Sequence, residues 1–173
     1  TGAGPCYHGP FDGDTPTVSK TFTGLPAHTK VTVSLRYWSV DSWDTEEAYV
    51  KIEGNKVWSK MYDAHGGNGR TTYSGDMYEP WSTTGHKYYE IVEVTLEHYS
   101  PTLTLTVGSG IVQGKTDEYW AFDSVKVVSA FHDEGPWMAK SEGWSNDLVK
   151  LYGNGGTEGG VCTGAGPCYH GPF

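Results

Sequence analysis

Alternation of apolar and polar positions with a period of two runs through most of this chain. In "KVTVSLRYWSV", Val31, Val33, Leu35 and Tyr37 fall on one face and Thr32, Ser34 and Arg36 on the other. That spacing predicts a half-buried strand, because successive side chains of an extended chain point to opposite faces. "YYEIVEVTL" groups Val92, Val94 and Leu96, and "PTLTLTVG" groups Leu103, Leu105 and Val107. "AYVKIEGNKVWSK" reads as two short strands around Gly54 and Asn55, a pair that tolerates the positive φ of a tight hairpin. Another strand is expected from Val18 to Phe22. In "EYWAFDSVKVV" the alternation passes through Trp120 and Phe122 and changes phase before Val125 and Val127, which predicts a β-bulge near Asp123. No convincing helix appears; "NDLVKLY" at 146–152 is short and flanked by glycine. Seven or eight short strands separated by turn residues predict an all-β chain, an antiparallel β-sandwich. Trp38, Trp58 and Trp120 sit within strand patterns and are expected in the core. Between the strands, positions 62–87 form a long gap of the kind that is usually functional or contact-forming.

The opening eleven residues, "TGAGPCYHGPF", recur letter for letter at 163–173, an offset of 162 residues. A fixed period is the mark of a repeat architecture. The expectation is a tandem array in which residues 1–130 form the sandwich body of one module. Residues 131–173 would then be a connector supplying the first strand or strands of the next. That connector carries Phe131, Trp137, Trp144, Leu148, Val149 and Leu151, more apolar surface than a solvated linker needs, and these are candidate inter-module contacts.

Composition narrows the function classes. The formal net charge is −9, and the 12 Lys and Arg are scattered, which argues against a nucleic-acid partner. No apolar run approaches the roughly 18 residues of a membrane span. The three cysteines become two per period once the repeat is applied, Cys6 and Cys168 being the same position. An even count suits a disulfide between Cys162 and Cys168 in an oxidising compartment, with Cys6 pairing to a preceding copy; buried thiols are the alternative.

Several blocks carry a family resemblance. "TVSKTFTGLPAHTKVTVSLRYWSVDSWDTEEAYVKIEGNKVW" resembles the opening of a tandem β-sandwich repeat of ciliate and other protist surface proteins. "TLTLTVGSGIVQGKTDEYWAFDSVKV" resembles its closing strands, and is similar to the last strands of jelly-roll, galactose-binding-like and MAM-type domains. The blocks around Asp41–Asp44 and Asp117–Asp123 carry it most specifically. The resemblance implies a sandwich of jelly-roll or galactose-binding-like type in an extracellular, cell-surface module, tandemly repeated and without enzymatic activity.

Candidate chemistry lies in two acidic loops, Asp41, Asp44, Glu46 and Glu47 in one and Asp117, Glu118 and Asp123 in the other. Calcium takes six to eight oxygen ligands, and two such loops at one end of a sandwich would supply them. Galactose-binding-like modules often hold a structural calcium, so the resemblance implies the same cofactor. A solvated acidic rim is the plainer reading. A glycosidase reading would use Asp44 and Glu118 as a carboxylate pair, with nothing in the sequence to mark either as desolvated. Histidines are dispersed without metal-ligand spacing. Trp43, Tyr73, Tyr78 and Trp81 lie outside clear strand patterns and are candidates for stacking on sugars. The leading expectation is therefore a structural module of an extracellular filament or long surface protein, contacting copies of itself head to tail. A carbohydrate-binding adhesion module is the alternative.

Overall fold

A computed structural model describes residues 6–63, 70–74, 86–114 and 116–130. Nine strands are present among them: β1 (His8–Phe11), β2 (Thr17–Thr23), β3 (Lys30–Asp41), β4 (Asp44–Ile52), β5 (Asn55–Asp63), β6 (Thr71–Thr72), β7 (Lys87–Glu97), β8 (Thr102–Ser109) and β9 (Glu118–Ala130). They pair antiparallel into a five-stranded sheet of order β1-β9-β3-β7-β6 and a four-stranded sheet of order β2-β8-β4-β5. The expected β-sandwich is the observed fold.

The core follows the alternation. Val31, Val33, Leu35 and Tyr37 of β3, Val92 of β7 and Trp120, Phe122, Val125 and Val127 of β9 meet Ala48, Val50 and Ile52 of β4 and Leu103, Leu105 and Val107 of β8. Each is buried, and full burial of such a side chain contributes about 1.5–3 kcal/mol. The bulge lies where the phase of β9 changes. Ser34 pairs with Lys126 and Arg36 with Asp123, so β9 carries one residue more than β3 across this step. Ser124 takes a φ of 54° there, and the kink returns Val125 to the inner face.

A second apolar cluster lies on the outer face of the five-stranded sheet. Trp38 and Val40 of β3 join Tyr119 and Ala121 of β9 and Tyr7, with Tyr73 and Tyr89 packed against them. Trp38 is thus buried as expected, on the face opposite Tyr37. Trp58 is partly buried against the main core.

Two strand expectations need adjustment. The β4–β5 turn is centred on Glu53 and Gly54, at φ of 50° and 77°, one residue earlier than the Gly54-Asn55 reading. Asn55 instead opens β5 and pairs with Ile52. The long gap at 62–87 is shortened, because β5 runs to Asp63 and β6 adds to β7. The candidate connector residues Phe131, Trp137, Trp144, Leu148, Val149 and Leu151 lie outside the described residues, as do Cys162 and Cys168. No helix among the described residues is long and apolar enough to cross a membrane.

Candidate functional site: an acidic end of the sandwich

The β3–β4 link is only Ser42 and Trp43, and it is fastened to the start of β9. Trp43 is 1% exposed; its indole Nε1 donates to the carbonyl of Tyr119 at 3.2 Å, and its ring packs edge-on to Tyr37 and Tyr62. A ring so enclosed offers no face to a sugar, which corrects the expectation for Trp43. Ser42 Oγ donates to Asp117 Oδ1 at 3.1 Å, and Asp41 sits opposite Glu118 in the β3–β9 ladder. The link therefore draws the two acidic loops together.

Backbone strain marks the same place. Asp41 and Thr45 have φ of 73° and 80°. Aspartate tolerates the left-handed region better than most residues, but a β-branched threonine there is an outlier. Thr45 lies where the β4–β5 register shifts between Asp44 and Glu46. The shift lets the Glu46 carboxylate turn back to accept the Asp44 N–H.

Glu118 is the buried member, at 1% exposure, and neither carboxylate oxygen has a hydrogen-bond partner. Its pKa is pushed up to about 8, first by desolvation and then by the charges of Glu46, Asp117, Asp44 and Asp41. Sequence reasoning grouped these acids but could not see that one is desolvated. It also missed Asp63, which lies opposite Asp44 across β4 and β5.

Two of the seven candidate ligands stand apart. Glu47 forms an ion pair with Lys56 at 2.7 Å, and that hydrogen bond holds its carboxyl below the usual range. Asp123 accepts from Arg36 Nε at 2.8 Å and Nη2 at 2.9 Å, and from Trp38 Nε1 at 2.7 Å. It lies five residues along β9 from Glu118, roughly 16 Å at about 3.3 Å per residue. Both carboxylates are occupied with structural partners, which sets Glu47 and Asp123 apart from the other five acids.

The remaining set is Asp41, Asp44, Glu46, Asp117 and Glu118. Its oxygen-only chemistry and the orphaned Glu118 oxygens suit a hard cation such as calcium. The side chains do not form a closed shell: among the described residues no group of three or more His, Cys, Asp or Glu is gathered closely enough to hold an ion. The charge fits and the spacing is open.

Comparison with known proteins identifies no family. No family model matches the chain, and none of the curated proteins does. Among solved structures, the chain is similar to the dimeric latent PorU of Porphyromonas gingivalis, at 10% identity and a TM-score of 0.44. That similarity covers 64% of this chain and 10% of PorU. The two-sheet sandwich rests on its own strand pairing.

The other candidates are placed as follows. Tyr73 packs edge-on against Trp38, with ring centroids 5.2 Å apart, and is half-buried. Tyr78 and Trp81 lie outside the described residues. Cys6 forms no disulfide among the described residues, and burial followed by the charge of Asp123 raises its thiol pKa.

Proposed function

We propose that this chain is a non-enzymatic structural module of an extracellular filament or surface array, joined head to tail with a period of 162 residues. The observation that carries the reading is the duplication of 1–11 at 163–173, taken with what the first copy does. Residues 7–11 include β1 and Tyr7, which are buried parts of the sandwich. The second copy therefore carries the chemistry of a module's first strand, and 131–162 becomes the stretch between one module and the next. Within this reading Cys162 and Cys168 form a disulfide. A calcium ion held by Asp41, Asp44, Glu46, Asp117 and Glu118 relieves the carboxylate repulsion at the acidic end.

The intact mass of native material, denatured and reduced, tests the tandem reading together with electron microscopy of the undenatured assembly. The expected result is a multiple of the 162-residue period, or subunits in rows with an axial repeat of about 40 Å from domain-size scaling. A single-module mass in a preparation that stays monomeric when undenatured would overturn it.

A further inference from the structure

The sandwich contains one slot for its first strand, and the chain contains two copies of the segment that fills it. β1 is the edge of the five-stranded sheet and pairs only with β9, through His8 opposite Phe122 and Phe11 opposite Trp120. The segment 7–11 nevertheless contributes to both apolar clusters. Phe11 enters the main core, 4.7 Å from the Trp120 ring centroid, while Tyr7 at 0% exposure completes the outer cluster with Trp38 and Tyr119. His8 packs edge-on to Phe122 at 4.9 Å. Gly9 is fitted as closely: a Cβ there would stand 2.8 Å from the Ala121 Cβ and 3.0 Å from the Trp120 carbonyl, at a φ of 138°.

Every one of these requirements is met again by Tyr169, His170, Gly171 and Phe173, because the sequence is the same. An edge strand can leave without breaking any other pairing in its sheet, and the slot it leaves exposes apolar surface on two faces and an unpaired β9 edge. We infer that the β1 slot is an acceptor for residues 168–173 of a second copy of this chain. The modules thereby join by exchange of identical strands. This rests on the head-to-tail reading and adds the physical joint. Each copy of this stretch offers one slot and one donor, so the contact is heterologous, and it propagates wherever the rotation between copies does not close a ring. At low concentration the tethered β1 wins, since a short tether supplies an effective concentration near the millimolar range.

Replacing Gly9 by valine in the full chain expels the tethered strand and leaves the duplicate intact. The expected result for Gly9→Val at about 100 µM is a folded protein that sediments as dimers and longer species. A more than tenfold excess of the free peptide TGAGPCYHGPF should cap these and return them to single modules. Gly171→Val alone should remain a folded monomer, and the double variant should lose both assembly and cooperative unfolding. A Gly9→Val chain as unstable as the double variant would show that the duplicate does not fill the slot. A stable monomeric Gly9→Val would show the duplicate serving its own chain, and either result overturns the inference. Native material that still forms rows with the expected repeat would then leave the head-to-tail reading standing without this joint.

Discussion

The imidazoles of His28 and His98 lie within 8° of parallel, with Nε2 of His28 2.7 Å from Nδ1 of His98. A centroid separation of 5.0 Å at that nitrogen distance means the rings meet edge to edge, not face to face. The tautomers follow from the neighbours. His28 Nδ1 faces the Pro26 carbonyl, which can only accept, so His28 Nε2 carries the lone pair and His98 Nδ1–H donates to it. Beyond it, His98 Nε2 lies 3.8 Å from Glu53 Oε1, and the same oxygen accepts from Thr104 N at 2.8 Å. The His28–His98 bond thus joins the β2–β3 loop to the β7–β8 loop at the end remote from Asp41, while His98 Nε2, a lone pair facing a carboxylate, takes no hydrogen bond from Glu53.

His98→Ala strands the His28 Nε2 lone pair in a buried site. The expected cost is roughly 1–3 kcal/mol, the penalty of an unmade buried hydrogen bond. A urea titration checks it, and an unchanged midpoint would show that the His28–His98 bond contributes nothing.

Asp123→Asn keeps the volume and removes the charge that accepts from Arg36 and Trp38. Hydrogen bonds to charged groups contribute more than neutral ones, so a loss of roughly 2–3 kcal/mol is expected. Asp123 is 3% exposed, so added salt should change the difference between variant and wild type little. Equal denaturation midpoints for variant and wild type would refute this account.

The strands legible in the sequence are those whose alternation is long. β3, β7 and β8 each bury one face through several periods, and a one-residue slip would turn the whole apolar set outward. β1 was hidden because His-Gly-Pro-Phe holds two residues that weaken strand patterns. An edge strand accepts them, since proline has no N–H to give and glycine lets β9 approach. The acidic site was half legible. Asp41, Asp44, Glu46, Asp117 and Glu118 are brought to one end by a link two residues long. The bulge gives Asp123 to Arg36 and Trp38, while the strand pleat gives Glu47 to Lys56. Glu118 is buried beside the point where the Trp43 indole is fastened to the Tyr119 carbonyl, a tertiary contact with no local signature.

In metal-free buffer, Glu118 should make stability fall as pH rises. Its folded pKa of about 8 stands above the ordinary 4.5. The folded state therefore holds a proton that the unfolded chain releases. The contribution is fully present below about pH 4.5, erodes at up to about 1.4 kcal/mol per pH unit, and is gone above about 8. Glu118→Gln removes the titration, so its stability should change less across this window. Parallel pH profiles for the two proteins, recorded with chelator, would exclude the assignment.

Calcium should reverse that dependence. A cation bound by Asp41, Asp44, Glu46, Asp117 and Glu118 needs the carboxylates ionised, so it competes with the proton on Glu118 and binds more tightly as pH rises. Because it binds only the folded state, it stabilises by mass action, about 2.7 kcal/mol when its concentration is a hundred times the dissociation constant. The melting temperature of wild type should therefore rise with millimolar calcium, and by more at pH 8.5 than at pH 5.5. Magnesium should do less, because it keeps its waters and demands a tighter octahedral shell than this open cluster provides. Glu118→Gln should blunt the calcium response, while Glu47→Gln should leave it intact, since Glu47 is held by Lys56. A melting temperature indifferent to calcium and chelator at both pH values would show that the acidic end carries its repulsion unrelieved. A response equal in wild type and Glu118→Gln would place the ion elsewhere on the molecule.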